Sequence, residues 1–135
     1  MRAALWPDAP LEEHLREFDQ LIATGMSGTL PAATFVAEQF GGVLVGFLDV
    51  GLRSHADGCD AARPVGYVEG WWVREDLRHH GIGRALLRAA EDWARSHGCR
   101  EMASDALIDN QQSLAAHRAL GFEIVDRCYH FRKSM

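Results

Sequence analysis

The chain has 135 residues, of which 47 % are hydrophobic and 24 % are charged, and its formal net charge is −5. That length suits one compact domain, residues 1–135, and the composition is typical of a globular protein. No run approaches the roughly 20 apolar residues that a membrane span needs, and the N-terminus lacks a secretory signal. The negative charge disfavours a nucleic-acid partner and leaves room for a cationic one. We therefore expect neither a membrane nor a nucleic-acid partner.

The three cysteines, Cys59, Cys99 and Cys128, are widely spaced along the chain. They form no CxxC pair, and no group of Cys and His has the spacing of a metal site. We expect reduced thiols in a cytoplasmic protein and no bound metal.

The N-terminal part predicts one helix followed by a hairpin. Acidic residues lie in the helix's first turn, and its apolar residues recur at helical spacing: Leu11, Leu15, Phe18, Leu21 and Ile22. Two strand-like segments follow, 33–40 and 43–53, and the pair Gly41–Gly42 between them is a hairpin signal.

After a polar loop at 54–64, the segment 65–73 predicts a third strand, in which Gly66 and Gly70 mark expected bulges. A helix over 81–98 follows, with Gly98 as its C-terminal cap.

The C-terminal part predicts a short strand within 99–106 and a second long helix over 109–121. The end of the chain, 122–133, predicts one or two further strands. This order of elements predicts an α/β (α+β) fold with a mixed sheet flanked by helices.

The segment "RHHGIG", residues 78–83, lies between a strand and the start of a helix. Helix N-termini carry unpaired N–H groups and bind anions, and glycines let an anion approach the backbone. Arg78 and Arg84 can add charged hydrogen bonds to phosphate oxygens. A glycine-rich turn that only starts a helix is the alternative. The spacing matches neither a P-loop nor a dinucleotide fingerprint.

In its context this segment resembles the acetyl-CoA pyrophosphate loop of the GNAT superfamily of N-acetyltransferases. Two other segments resemble the same superfamily: "VEGWWVREDLR", its central strand, and "NQQSLAAHRALGF", its asparagine-led helix that ends in Gly-Phe. The resemblance implies the GNAT fold, a mixed and mostly antiparallel sheet with flanking helices.

Six further segments are similar to the small, dimeric branch of the aminoglycoside 6'-N-acetyltransferases: "LWPDAP", "GFLDVGLR", "GCD", "YVEGWWV", "CREMASDA" and "ALGFEIVDR". That family transfers acetyl from acetyl-CoA to the 6'-amine of aminoglycoside antibiotics and confers resistance. The resemblance implies an aminoglycoside substrate and a homodimer. An aminoglycoside is a polycation of sugar rings, so it needs carboxylates and aromatic surface.

By resemblance, Trp6 lies at the mouth of the substrate site, and Glu69 and Asp105 hold the reacting end of the antibiotic. Asp126, near the C-terminal strands, reaches the site of the partner subunit. The residues implied in binding acetyl-CoA are Trp71, Trp72, Val73, Arg78, His79, His80, Gly81, Ile82, Gly83, Arg84 and Asn110.

Each of these assignments has a structural alternative. Trp6 suits the edge of a core, and Glu69 suits an ion pair. Asp105 suits a turn cap, Asn110 an N-terminal helix cap, and Asp126 a solvated face.

Acetylation needs a neutral amine, whereas a bound ammonium carries a proton at neutral pH. Glu69 and Asp105 are the catalytic candidates that accept this proton directly or through water, although close carboxylates also stabilise the ammonium. We expect direct attack, because no cysteine lies in a nucleophile motif. The Val73 N–H is our candidate for polarising the thioester carbonyl. His117, where many superfamily members have tyrosine, is a candidate acid for the leaving thiolate or a packing residue.

The chain departs from the family pattern at its start. "MRAALWP" resembles the tail of the family's first helix, so the usual first strand is absent. We therefore expect an open edge on the neighbouring strand. Ala9 and His55 replace residues that often line the family's substrate site, so the drug preference is altered or the substrate is a different polyamine-like or peptide amine. A non-catalytic acetyl-CoA-binding module is the remaining alternative.

Overall fold

The computed structural model describes residues 1–135, apart from the side chain of Ala3. In chain order the helices and strands are α1 (Arg2–Leu5), α2 (Leu11–Thr24), β1 (Met26–Ser27), β2 (Leu30–Gln39), β3 (Val43–Arg53), β4 (Val65–Val73), α3 (Ile82–Ser96), β5 (Met102–Ser104) and α4 (Gln111–Ala119). The strands form one sheet in the order β1-β2-β3-β4-β5, antiparallel from β1 to β4 and parallel between β4 and β5. The predicted mixed sheet with flanking helices is confirmed. None of the helices described has both the length and the apolar character needed to cross a membrane.

The main core lies between α3 and the centre of the sheet. Its buried residues are Leu48, Val50, Val68, Leu86, Leu87 and Ala90. Helix α1 contacts the opposite face, where Arg2 pairs with the buried carboxylate of Asp49 at 2.7 Å. The two faces of the sheet are thus covered by different helices, and the sheet itself positions the site.

Helix α2 forms as predicted, but its apolar stripe is largely not buried. Leu11, Leu15 and Ile22 are exposed, and the one buried residue of α2 is His14. On the edge of β2 that faces away from β3, the described residues pair only at Leu30 and Pro31, with β1. The expected open edge is therefore present, and it leaves the nearby face of α2 uncovered.

The prediction of strands at the C-terminus is wrong for the single chain. Residues 122–135 contain no strand, and Ile124, Tyr129 and Phe131 are exposed. Val125 lies against Gly58 in the loop between β3 and β4. A strand requires a hydrogen-bonded neighbour, and this segment pairs with no other segment of its own chain.

Of the two predicted bulges in β4, one is present. The register passes from Val50↔Val68 to Asp49↔Gly70, so Glu69 is the extra residue. Gly66 pairs regularly, and its lack of a side chain has another cause: a Cβ there would lie 2.5 Å from the Met102 sulfur.

Gly70 also lies directly beneath the indole of Trp6. A Cβ at Gly70 would come within 2.8 Å of the Trp6 Cζ2 atom and overlap the ring. Close packing of this kind fixes Trp6 beside the bulge.

We expect Gly70→Ala to lower the free energy of unfolding by about 1–3 kcal/mol, because overpacking forces Trp6 to move. Gly51→Ala on β3 is the matched control, since the atom nearest to its added Cβ is 3.6 Å away. Urea denaturation of both variants measures the effect. Equal stability of the two variants would contradict the packing of Trp6 on Gly70.

Candidate active site

β4 extends beyond its neighbour β5, which is much shorter, and we call the space beside the unpaired edge of β4 the cleft. Their pairing covers only Gly66 to Val68, and β4 continues to Val73. The Arg74 N–H donates to the Val45 carbonyl at 2.8 Å on the β3 side. Because N–H groups alternate in direction along a strand, the N–H and C=O of Val73 point away from β3 into this cleft. The exposed backbone edge of β4 can therefore accept an extended ligand as an added strand.

The segment 78–83 closes the far end of this edge. Arg78 donates from Nε to the Val73 carbonyl at 2.9 Å and from Nη1 to the Gln112 Oε1 at 3.2 Å. These hydrogen bonds fix the Arg78 guanidinium and connect the segment 78–83 to β4 and α4.

The structure explains why both Gly81 and Gly83 lack a side chain. Gly81, the N-terminal cap of α3, has φ of +86°, a conformation that favours glycine. A Cβ at Gly83 would lie 2.9 Å from the Trp71 indole. Since Gly81 has no side chain, α3 begins without a side-chain cap, and its first-turn N–H groups are left for an anion.

The other residues of the segment differ in their surroundings. His79 has a positive φ of 65°, unusual for a residue with a Cβ. His80 Nδ1 lies 2.7 Å from the Arg78 carbonyl oxygen. Ile82 packs against the core, whereas Arg84 is exposed.

Asn110 is the N-terminal cap of α4. Its Oδ1 accepts a hydrogen bond from the Ser113 N–H at 3.0 Å. Asn110 therefore caps the helix, as the structural alternative predicted. The NH2 group of the same side chain still has two N–H donors.

An ionic cluster forms where β4 bulges. Arg53 donates from Nε to the Glu69 Oε1 at 3.1 Å and from Nη2 to the Oε2 at 2.8 Å. The Arg53 guanidinium carbon lies 3.3 Å from the centre of the Tyr67 ring. Asp105, in the loop after β5, is close enough for its charge to act on both Arg53 and Tyr67. The two predicted carboxylates are thus brought together around Arg53 and Tyr67.

These neighbours also shift the pKa values of Tyr67 and Arg53. Burial raises the pKa of the Tyr67 phenol, and the charge of Asp105 raises it further. Burial lowers the pKa of the Arg53 guanidinium, but the hydrogen bond and charge of Glu69 outweigh this, so the pKa is raised overall.

Trp6 lies on the same side of the sheet as this cluster. It covers Gly70, the residue next to Glu69, and its ring centre is 6.2 Å from that of Phe47. Its carbonyl oxygen is 3.3 Å from the His14 Nε2. Trp6 is therefore a core-edge aromatic and a neighbour of the acidic cluster at once.

The side chain of His117 contacts other residues through its ring and through both ring nitrogens. Its ring packs edge-on against Trp71 and Phe122, with centre separations of 5.6 and 5.1 Å. Nδ1 lies 2.7 Å from the Ser113 carbonyl oxygen, and Nε2 lies 2.9 Å from the Ser104 hydroxyl. These contacts favour the packing alternative over a free acid.

Asp126 is not part of the cluster in one chain. It is exposed, and its Oδ1 accepts a hydrogen bond from the N–H of Arg127 at 2.6 Å.

Comparison with known proteins identifies the family of the chain. The model of the acetyltransferase (GNAT) family matches residues 1–122. The chain belongs to the GNAT acetyltransferase family.

The relatives compared here are named as aminoglycoside 6'-acetyltransferases. An aminoglycoside N(6')-acetyltransferase type 1 of Stenotrophomonas maltophilia is 42 % identical over 133 residues, 98 % of this chain and 82 % of the relative. The one of Klebsiella aerogenes is 41 % identical, covering 100 % and 87 %. The structure of AAC(6')-Iy in complex with the bisubstrate analog CoA-S-monomethyl-acetylneamine superimposes with a TM-score of 0.88 at 35 % identity, covering 100 % of this chain and 88 % of that one.

Sequence reasoning on this GNAT chain missed Arg53 and Tyr67. In a regular hairpin, alternation on β3 and β4 would have placed Arg53 near Tyr67. Glu69 lies at the bulge that Gly70 had indicated, but the pairing of β3 with β4 that brings Arg53 to this carboxylate is not specified by any local pattern.

We expect Asp105→Asn to lower the pKa of the Tyr67 phenol, because a negative charge that opposes phenolate formation is removed. The measurement is phenolate absorbance against pH in a Tyr129→Phe background, where Tyr67 is the remaining one of the two tyrosines. Asp126→Asn is the control and should leave the titration unchanged. An unchanged pKa in Asp105→Asn would remove Asp105 from the cluster.

Proposed function

We propose that this acetyltransferase transfers acetyl from acetyl-CoA to the 6'-amino group of aminoglycoside antibiotics and so confers resistance. The observation that carries the proposal is the pair of carboxylates, Glu69 and Asp105, beside the open edge of β4. Residues 1–135 form one domain in this proposal. The activity for which these relatives are named supports it, as does the bisubstrate analog CoA-S-monomethyl-acetylneamine in the AAC(6')-Iy structure.

Acetyl-CoA fits the described cleft. Its amide-bearing arm suits the free backbone edge at Trp71, Trp72 and Val73, and its pyrophosphate suits the uncapped start of α3 within 78–84. The remaining donors of Asn110 lie on the helix that Arg78 contacts through Gln112. Bound there, acetyl-CoA supplies the thioester that the amine attacks.

The acidic cluster binds and orients the substrate's reacting ammonium. Glu69 and Asp105 attract it and set its direction, while their charge also raises its pKa. Proton loss therefore proceeds through water, with a carboxylate as the acceptor. The neutral amine then attacks directly, without an acetyl-enzyme.

The Val73 N–H serves as the donor to the carbonyl oxygen, because it points into the cleft. His117 is the one candidate acid near the cleft for the leaving thiolate. Its two ring nitrogens already contact Ser113 and Ser104, so its contribution is small and mainly structural.

We also propose a cytoplasmic homodimer. The C-terminal segment 122–135 has no strand neighbour in its own chain and exposes Tyr129 and Phe131. A second copy can supply that neighbour and bring Asp126 to the partner's substrate site. Light scattering at twice the mass of one chain is the expected result.

Purified protein should release thiol from acetyl-CoA with kanamycin but not with the analogue that carries a hydroxyl in place of the 6'-amine. Glu69→Gln and Asp105→Asn should each lower kcat/KM for kanamycin by about tenfold or more, since a hydrogen bond to a charged group contributes about 1.5–3 kcal/mol. Their affinity for acetyl-CoA should stay unchanged.

The exposed Asp92→Asn on α3 is the control for charge removal and should keep full activity. Release with spermidine alone would replace the proposal by general polyamine acetylation. Acetyl-CoA binding without any release would indicate a non-catalytic module.

Gly81→Val should weaken acetyl-CoA binding by about tenfold, because a side chain there obstructs the anion's approach to the start of α3. Gly98→Val is a matched control at the other end of α3, since both glycines have φ of +86° and open space around the added Cβ. Both variants should lose about 1–2 kcal/mol of stability from strain. If calorimetry shows the same acetyl-CoA affinity for both, the pyrophosphate does not bind at 81–84.

A further inference from the structure

The carboxylate that the proposed reaction assigns to the substrate's ammonium already holds a cation. Glu69 receives two hydrogen bonds from the Arg53 guanidinium, at 2.8 and 3.1 Å. Two parallel bonds of this kind use both oxygens of the carboxylate in its strongest pairing geometry. An ammonium that is to bind Glu69 in the same way must therefore compete with Arg53.

The exposure of the pair allows such an exchange. The side chains of Arg53 and Glu69 are 44 % and 43 % exposed. By contrast, the Arg2–Asp49 pair on the same sheet is 18 % and 8 % exposed. Half-exposed ion pairs contribute little to stability, because water replaces the partner on either side. Arg53 can leave Glu69 without unfolding the sheet, whereas Arg2 is fixed.

Arg53 also has a second support that does not involve Glu69. Its guanidinium lies over the ring of Tyr67, and the charge of Asp105 acts on it. A guanidinium released from Glu69 therefore keeps a favourable neighbourhood within the cluster.

We propose that Arg53 is an internal competitor of the substrate, a cation that occupies the amine subsite at Glu69 until the substrate's reacting ammonium replaces it. This inference rests on the proposed function, since it assumes that the reacting amine binds at Glu69. Every amine that enters the subsite loses the same amount of affinity to this competition, so Arg53 lowers the affinity for amines without changing the preference among them. The competition therefore sets how much binding free energy the other ion pairs of the substrate must supply.

The alternative is that Arg53 holds Glu69 in position for the substrate. The two ideas predict opposite changes in the affinity for the amine when the guanidinium charge is removed. Loss of a competitor tightens amine binding, whereas loss of a positioning residue weakens it. A third effect, weaker repulsion of any cation, tightens every cationic ligand whether or not it carries the reacting amine.

The test is calorimetric titration in the presence of CoA, with three proteins and two ligands. The proteins are the wild type, Arg53→Gln and Arg63→Gln. The ligands are kanamycin and its analogue with a hydroxyl in place of the 6'-amine. Arg63, in the loop between β3 and β4, is a matched control because its side chain is 43 % exposed and lies 3.9 Å from a carboxylate of Asp60.

We expect Arg53→Gln to bind kanamycin about fivefold more tightly than the wild type, which corresponds to about 1 kcal/mol. The hydroxyl analogue should bind both proteins equally, because it cannot displace a guanidinium. Arg63→Gln should bind both ligands as the wild type does. In turnover, the same change should appear as a lower KM for kanamycin with kcat unchanged.

Several results overturn the role of Arg53. Weaker or equal kanamycin binding by Arg53→Gln does so, and so does equal tightening of the hydroxyl analogue. These results leave acetyl transfer standing if the wild type releases thiol with kanamycin. Conversely, binding without thiol release contradicts the proposed function, while the affinity differences still test Arg53. No binding by any of the proteins contradicts both.

Discussion

The site depends on one irregularity of the sheet, the extra residue Glu69 in β4. The bulge changes the alternation of side chains, so that Glu69 and Gly70 serve the face opposite to the core. Trp6 then packs on Gly70, and Trp71 returns to the α3 side, where it meets Gly83 and His117. A regular strand would place one of these groups on the wrong face. The acidic cluster, the aromatic beside it and the contact between β4 and α3 therefore share one cause.

A second constraint is the early end of β5. Because β5 stops opposite Val68, the next five residues of β4 keep an unpaired edge. Glu69 lies at one end of that edge, and the uncapped start of α3 lies beyond Val73 at the other. Four residues of extended strand span about 13 Å. The unpaired edge of β4 thus has carboxylates at one end and the unpaired N–H groups of α3 at the other. This arrangement suits a cationic acetyl acceptor at the first end and an anionic acetyl donor at the second.

The sequence predicted the elements with local signatures and missed those set by distant contacts. The bounds of α2, β3, β4 and α3 followed from periodicity and from punctuation such as Gly41–Gly42 and Gly98. The C-terminal strands failed because an alternating pattern does not supply a neighbour. The carboxylates were identified by resemblance to the family, whereas their partner Arg53 follows from the pairing of β3 with β4, which no local signature specifies. Likewise, the glycines in the segment 78–83 suggested an anion, while Gly83 is explained by its contact with Trp71.

Burial decides what an arginine–carboxylate pair does in this fold. Arg2 and Asp49 are shielded, so separating them would leave an uncompensated buried charge, and the pair ties α1 to the sheet. Arg53 and Glu69 have the same chemistry but are about half-exposed, so water can replace either partner. The two pairs thus share one chemistry, and the exposed fraction of their side chains decides which arginine is fixed and which can leave its carboxylate.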